Sequence, residues 1–377
     1  MKGQPPDIRP ASVDFRNGAL YSSGFGDIYH SIDGAIEEAR HVFLGGNGLP
    51  HRWCEVADFT IVETGFGCGL NFLTTWDALR QSGEPCRLHF VSVEKHPFAR
   101  EDLAQVLAAW PRLGALSDQL LAAYPPLIRG FHRLHFDEGR VSLTLLFGDV
   151  VTMLGELGAR ANAFYLDGFA PARNPDMWSD DLFQQVRRIA AAGATAATYS
   201  SASMVRAGLQ SAGFETRKAP GFGRKRDMIT GQQPGEASRR KTGRKAIVIG
   251  AGIAGASCAF ALARKGIEVE LIDREATAGS GSSFNPAAVV RPFLSLDPGI
   301  RNRFGIAAFV YAVRLYRELA LRTSCGWHET GVLQLAKDSA QRDKLLRAVG
   351  MAALPPDLVR LVDARQAGEL CGVPVNE

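Results

Sequence analysis

The chain has 377 residues, of which 46% are hydrophobic and 22% charged, with a formal net charge of +4. These values exclude wholesale disorder and a fibrous repeat, and the length predicts two or three domains at about 150 residues each. None of the six cysteines forms a Cys-x-x-Cys and none of the eight histidines a His-Glu-x-x-His, so no zinc or other metal site is expected.

In chain order, Met1-Lys2-Gly3-Gln4-Pro5-Pro6 has no apolar core behind its charge, so no signal peptide is expected. The scattered cysteines suit a reducing compartment, which predicts a cytoplasmic location. Residues 1 to about 50 read as loop-rich, with Gly24, Gly26, Gly34, Gly45, Gly46 and Gly48. From Phe59 short apolar runs alternate with amphipathic ones. Strands are predicted at Phe59–Glu63, Leu88–Glu94, Val141–Phe147, Ala163–Asp167 and Ala194–Tyr199. Helices are predicted at Leu70–Gln81, Pro97–Ala109, Val150–Leu157, Asp180–Ala192 and Met204–Ser211. Strand then helix, repeated, implies a parallel sheet with helices on both faces.

The stretch Gly231–Gly243 is rich in Pro, Gly, Ser and charge without apolar periodicity and reads as a linker. A second strand–helix–strand unit follows at Ala246–Ile249, Ala254–Lys265 and Val269–Asp273, then a helix at Ile300–Leu321. The run Ala246–Ala263 lacks charge, but its glycines make it a buried strand, a turn and a helix rather than a membrane span. The expected organisation is a domain over residues 1–235, a basic linker over 236–245 and a second domain over 246–377.

The first glycine turn is Glu63-Thr64-Gly65-Phe66-Gly67-Cys68-Gly69, between a strand and a helix. Alternate glycines allow a tight bend and close approach to a ligand. The spacing is neither a P-loop nor G-x-G-x-x-G. The leading acid repels phosphate and suits the cationic amino-acid end of S-adenosylmethionine. Three more acids fall at strand ends, where open α/β sheets bind ligands. Glu94 is a candidate for ribose hydroxyls and Asp149 for the adenine amino group, and Asp167 ends the fourth strand. The alternative is a glycine loop in another α/β domain, with these acids as helix caps.

The second turn, Gly250-Ala251-Gly252-Ile253-Ala254-Gly255, is G-x-G-x-x-G after a β-branched strand, and Asp273 closes the next strand. The glycines provide the turn and the approach to pyrophosphate, and Asp273 takes ribose hydroxyls. That acid disfavours NADP and leaves FAD and NAD open. Between the two units, Phe214–Lys245 carries ten basic residues against three acids. A local basic stretch on a near-neutral body points to a polyanion, with a solvated linker as the alternative.

Several runs together carry a resemblance. They are Gly45-Gly46-Asn47, the turn with Leu70-Asn71-Phe72-Leu73, the run from Leu166-Asp167-Gly168-Phe169-Ala170-Pro171 to Met177-Trp178, and Gly221-Phe222-Gly223-Arg224-Lys225-Arg226. They resemble the MnmC family of bifunctional tRNA 5-methylaminomethyl-2-thiouridine biosynthesis proteins. The second unit, with Asn285-Pro286 and Gly331-Val332-Leu333-Gln334-Leu335, resembles the start of that family's FAD-dependent oxidoreductase domain. The resemblance implies a Rossmann-like class I S-adenosylmethionine-dependent methyltransferase domain followed by a partial FAD/NAD(P)-binding Rossmann domain. The family's FAD domain is longer than residues 245–377, so its fold is expected to be incomplete, its apolar strands exposed and its flavin absent or weakly held.

In chemistry, the resemblance implies FAD-dependent removal of a carboxymethyl group from the wobble uridine of a tRNA anticodon loop, then methylation of the resulting amine. Asp167 is the expected catalytic residue. Glu63, Gly65, Gly67, Gly69, Glu94 and Asp149 are expected at S-adenosylmethionine, and Gly250, Gly252, Gly255 and Asp273 at FAD. Phe222, Arg224, Lys225 and Arg226 are expected at tRNA, where Phe222 stacks on a base or simply turns a hairpin. Two other readings stay open: a small-molecule methyltransferase fused to a dinucleotide-binding remnant, and a non-catalytic RNA-binding protein.

Overall fold

The computed structural model describes residues 8–16, 19–29, 34–223, 225–236, 243–297, 299–352 and 354–375. It separates into two compact units, one of Arg9–Tyr124 and Arg133–Asn285, the other of Ile8, Pro125–His132 and the described residues from Pro286 on. No helix among the described residues is long and apolar enough to cross a membrane.

The larger unit opens where the sequence reads as loop. Strands β1 (Asp14–Arg16), β2 (Ala19–Ser22) and β3 (Asp27–Ile28) form a small sheet in that order, and helix α1 (Ala35–Ala39) follows, with helical winding continuing to Asn47. The main sheet has β4 (Asp58–Thr64), β5 (Arg87–Glu94), β6 (Gly130–Phe136), β7 (Val141–Phe147), β8 (Ala161–Leu166), β9 (Ala190–Thr198), β10 (Glu215–Pro220) and β11 (Asp227–Gln232), in the order β10-β11-β9-β8-β4-β5-β7-β6. Helices α2 (Leu70–Ser82), α3 (Arg100–Leu107), α4 (Gly114–Ala123), α5 (Val150–Gly155), α6 (Asp180–Ile189) and α7 (Ser203–Ser211) connect them.

The strands β9, β8, β4, β5 and β7 run parallel, and their apolar runs are buried, as a sheet covered on both faces requires. Helix α6 shows how the sequence seats a cover. Leu182, Phe183, Val186 and Ile189 make one buried stripe, and the Ser179 hydroxyl accepts from Leu182 N at 3.4 Å to start the helix. The sheet is mixed rather than wholly parallel, because β10 and β11 form an antiparallel hairpin and β11 pairs antiparallel with β9. Gly231 and Gln232, read as the start of a linker, therefore belong to β11 and sit opposite Ala196 and Thr195. Their lack of apolar character hid a strand whose cover is Phe214, a side chain from elsewhere in the chain.

Later in the same unit, β12 (Lys245–Ile249), α8 (Ile253–Arg264) and β13 (Glu268–Ile272) form a parallel strand–helix–strand motif. Arg87 Nη1 donates to the Arg264 carbonyl at 2.9 Å and fastens the end of α8 to β5. The strand and helix fall where the sequence predicts, but the strand is not buried. Ile247 is 63% exposed and Ile249 87%, because among the described residues the two-stranded sheet has no further strand or layer of helices over these side chains. In the smaller unit, α9 (Ile300–Arg322), α10 (Ser339–Ala352) and α11 (Ala364–Cys371) are the helices. There Ile306 and Val310 pack with Ile128 in a small core flanked by Phe309, Leu354 and Leu358.

Gly45-Gly46-Asn47 holds the helical entry segment against the sheet. Asn47 Nδ2 donates to the carbonyls of Phe43 and Phe164, at 2.9 and 3.3 Å. Its Oδ1 accepts from Thr195 Oγ1 at 2.6 Å, and Arg52 Nη1 donates to the same hydroxyl at 2.6 Å. The approach is close enough that a Cβ on Gly46 would lie 2.7 Å from the Ala197 Cβ. Gly46→Ala is therefore expected to destabilise the protein by about 1–3 kcal/mol through overpacking. Thermal unfolding checks this, and an unchanged midpoint would show that the segment is not held tightly on β9.

Candidate active site

The chain leaves β4 towards β5 on one side and later returns to β8 on the other, which opens a crevice at the carboxyl ends of β4 and β8. The first glycine turn forms its floor. Gly65, Gly67 and Gly69 all have positive φ, at 92°, 52° and 78°, a region that side chains rarely tolerate. Gly65 N and Phe66 N donate to the Val93 carbonyl at 2.9 and 3.1 Å, so β5 fixes the turn.

Above the turn is a cavity of about 350 Å³ lined by Gly65, Gly67, Cys68, Asn71, Glu94, Asp167, Gly168, Phe169 and Tyr199, with Asp27, Tyr29, Glu38 and Lys225 around it. Asp167 follows β8. Its Oδ2 accepts from Asn71 Nδ2 and its Oδ1 from Gly168 N, both at 2.8 Å. Burial raises its pKa from 3.8 to about 6 against these two donors, with Glu38 raising it further and Lys225 lowering it. No helix starts at Asp167, so the helix-cap alternative does not describe it. Glu94 accepts from Gly67 N and His96 N, both at 2.8 Å, and burial raises its pKa in spite of them. An aromatic cluster stands beside it: Phe169 stacks on Phe25 at 4.6 Å and meets Tyr29 edge-on at 5.1 Å.

The structure thus brings Gly65, Gly67, Glu94, Asp167 and Lys225 to one cavity. Gly69 sits behind them as the cap of α2. Glu63 is fully buried in β4 and does not line the cavity; it accepts from Ser92 Oγ at 2.5 Å, and burial pushes its pKa well above the usual carboxylate range. Asp149 does not line it either. Its side chain caps α5, accepting from Thr152 N at 3.2 Å, and pairs with Lys95 at 3.6 Å, which is the cap role held open above. Phe222 and Lys225 lie in the turn between β10 and β11, closed by Gly221 N donating to the Arg226 carbonyl at 3.0 Å. Phe222 packs beside His41 with ring centres 5.9 Å apart, and Arg226 is exposed. Arg224 lies outside the described residues.

Residue reasoning missed Asn71, Glu38, Tyr199, Tyr29 and Asp27. Asn71 left a signal: an amide among the apolar residues that begin α2, one turn from the glycines. Glu38 left none, since a Glu-Glu pair in a short helix reads as a solvated face.

At the second turn, Gly250 has φ 102° and its N–H donates to the Ile272 carbonyl at 2.7 Å. A Cβ on Gly255 would fall 1.7 Å from the Gly250 carbonyl oxygen, so no side chain fits there. Gly252 caps α8. Asp273 accepts from Glu275 N at 2.9 Å and Ala251 N at 2.5 Å, and these bonds lower its pKa. Strand, turn, helix and strand-end acid suit the ADP half of a dinucleotide.

Residues 111–234 match a family described as S-adenosyl-L-methionine-dependent methyltransferase, and residues 245–376 a family described as FAD dependent oxidoreductase. Over 374 residues, 98% of this chain, the sequence is 50% identical to the tRNA 5-methylaminomethyl-2-thiouridine biosynthesis bifunctional protein MnmC of Azoarcus sp.. It is 46% identical over 366 residues, 96% of this chain, to the protein of the same name in Thiobacillus denitrificans. The chain spans 59% of the length of both relatives. Among solved structures, MNMC2 from Aquifex aeolicus matches at 22% identity and a TM-score of 0.46, covering 63% of this chain and 75% of that one.

The shifted Asp167 makes stability depend on pH in a defined direction. With its pKa raised from 3.8 to about 6, the folded state binds more proton than the unfolded state between those values. Stability from this group is present below pH 4 and is lost as pH rises to 6. Asp167→Asn cannot ionise and escapes that loss. Its unfolding free energy relative to the parent is expected to improve by roughly 2–3 kcal/mol between pH 4 and 7. A pH-independent difference would show that Asp167 titrates normally.

Proposed function

Given a chain related to the bifunctional MnmC proteins over nearly all of its own length, we propose that its larger unit transfers methyl from S-adenosylmethionine to the aminomethyl nitrogen of a modified wobble uridine in tRNA. The observation that carries this reading is Asp167, a carboxylate clamped by Asn71 and Gly168 in the same cavity as the glycine turn. The cavity suits the cofactor. Gly65 and Gly67 leave the floor free of side chains, and each Glu94 oxygen keeps a second lone pair for a ribose hydroxyl. S-adenosylmethionine supplies an activated methyl on a sulfonium, a cation that the surrounding acids favour.

Transfer forms one N–C bond and breaks one S–C bond, while the amine gives up a proton. An alkylamine is largely protonated at neutral pH, with a pKa near that of lysine at about 10.4. It must shed that proton, or the one released on alkylation, to a nearby group. Asp167 is placed to accept it, and its pKa of about 6 brings it closer to the amine's than an ordinary Asp would be. Asn71 and Gly168 N hold the carboxylate in one orientation, so the acceptor needs no reorganisation as the bond forms.

In the second motif, Gly250, Gly252, Gly255 and Asp273 would hold the ADP half of FAD. For this motif the proposed reaction is removal of a carboxymethyl group from the wobble uridine: bound flavin would supply the hydride acceptor that oxidises the N–CH2 carbon to an imine, and water would then cleave that C–N bond, releasing a two-carbon oxo acid and leaving the amine. For the tRNA contact, the basic hairpin around Lys225 and Arg226 supplies phosphate partners beside the cavity mouth.

Asp167→Asn is expected to slow methyl transfer to aminomethyl-bearing tRNA by roughly 10²–10⁴-fold while S-adenosylmethionine binds with unchanged affinity. Tritium transfer and calorimetry check the two halves. Full activity in the variant would remove Asp167 from the chemistry, and transfer to small amines but not to tRNA would replace the substrate class.

A further inference from the structure

Resting on that reading, we propose that Glu38 is the carboxylate that docks the substrate's cationic amine, and that Lys225 holds its place until the tRNA arrives. The argument starts from how each acid at the cavity is occupied. Asp167 and Glu94 accept from backbone N–H groups. Asp27 does as well, taking Ile28 N at 2.9 Å and Ala170 N at 3.2 Å. Those donors are fixed by the fold and do not leave. Glu38 instead accepts at Oε1 from the Lys225 ammonium at 2.9 Å, an exchangeable partner on a flexible stem.

The geometry around this pair is that of an amine site. The Lys225 Nζ also lies 4.0 Å from the centre of the Tyr199 ring, the attraction an alkylammonium has for an aromatic face. Tyr199 is itself oriented, since its hydroxyl donates to the Gly168 carbonyl at 2.6 Å, next to Asp167. A primary alkylammonium is thus already seated between a carboxylate and an aromatic ring in the wall of the cavity that holds Asp167. The protonated aminomethyl group has the same chemistry as the lysine terminus. The Glu38 side chain is only 12% exposed, whereas that of Lys225 is 44% exposed on a hairpin that carries Lys218 and Arg226. The carboxylate therefore stays while the lysine has solvent, and an incoming phosphate, to turn to. In this arrangement Glu38 is a positioning residue: it selects a cationic nucleophile and delivers it beside Asp167.

The test is binding of two anticodon stem-loops to the full chain, identical except that one carries the 5-aminomethyl group and the other an unmodified uridine. The parent is expected to bind the aminomethyl form about tenfold more tightly, the size of one charge-assisted hydrogen bond. Glu38→Gln is expected to erase that difference and leave the affinity for the unmodified stem-loop unchanged, with KM raised and kcat nearly kept. Lys225→Met is expected to widen the difference, because the lysine ammonium no longer competes for Glu38, and to lower the salt slope by about 1. A merely structural ion pair would shift both stem-loops equally in both variants, and that result would overturn the proposal. Equal binding of the two stem-loops by the parent would overturn it too. The parent reading fails by a different result, the absence of methyl transfer from the parent chain to aminomethyl-bearing tRNA, whatever the binding difference shows.

Discussion

Thr64 and Asp167 sit at the ends of adjacent parallel strands, and the Thr64 hydroxyl donates to the Asp167 carbonyl at 2.8 Å. That bond joins β4 to β8 at the point where the two connections diverge. It sets the width of the crevice and puts the start of the glycine turn against the backbone of the loop that carries Asp167. A Cβ on Gly65 would lie 3.5 Å from the same carbonyl oxygen, an ordinary van der Waals contact, so it is the positive φ rather than lack of space that calls for glycine there. Asn71, in the first turn of α2, then reaches back to the carboxylate. The Asp167 side chain is thus held by Asn71, 96 residues away in the chain, and by its neighbour Gly168 N.

The acids near this point differ in ways that burial and donors explain. Glu63 sits deepest, in a strand covered on both faces, and its enclosure favours the neutral form. Glu94 is half-buried at the cavity wall, and backbone N–H groups, among them those of His96 and Gly67, offset part of its burial cost. Asp167 has one side-chain and one backbone donor and ends with a pKa of about 6. Asp149, half exposed on a helix cap, spends its charge on a backbone N–H and on Lys95. Four carboxylates that look alike in sequence thus have different work, decided by where each strand lets go of its side chain.

Legibility in the sequence followed burial. Phe59–Glu63, Leu88–Glu94 and Val141–Phe147 announce themselves because a doubly covered parallel strand is rich in apolar residues on both faces, with only a few polar residues such as Thr60, His89 and Ser142 between them. The glycine turn and Asp167 were legible for a related reason: the positive φ values demand glycine, and the acid closes such a run. The hairpin β10–β11 was not, since Arg217, Lys218 and Gly231 break the apolar pattern and the pairing with β9 arises only in three dimensions. Asn47 looked like part of a glycine loop, yet it ties three segments together through partners more than a hundred residues away. Glu38 was invisible because its meaning depends on Lys225, 187 residues later.

The loop after β13 has its own effect on the second glycine turn. Gly279 N donates to the Ala251 carbonyl at 2.9 Å, and Ser283 Oγ accepts from Ile253 N at 3.0 Å. That N–H is one of the donors at the start of α8 that a pyrophosphate would use, so the chain already presents an oxygen to its own helix. Entry of a nucleotide there is an exchange of acceptors rather than the filling of a vacant donor. A hydrogen bond between neutral groups contributes about 0.5–1.5 kcal/mol, so a nucleotide taking that N–H would meet the serine as a built-in competitor, at a cost of roughly two- to tenfold in apparent affinity.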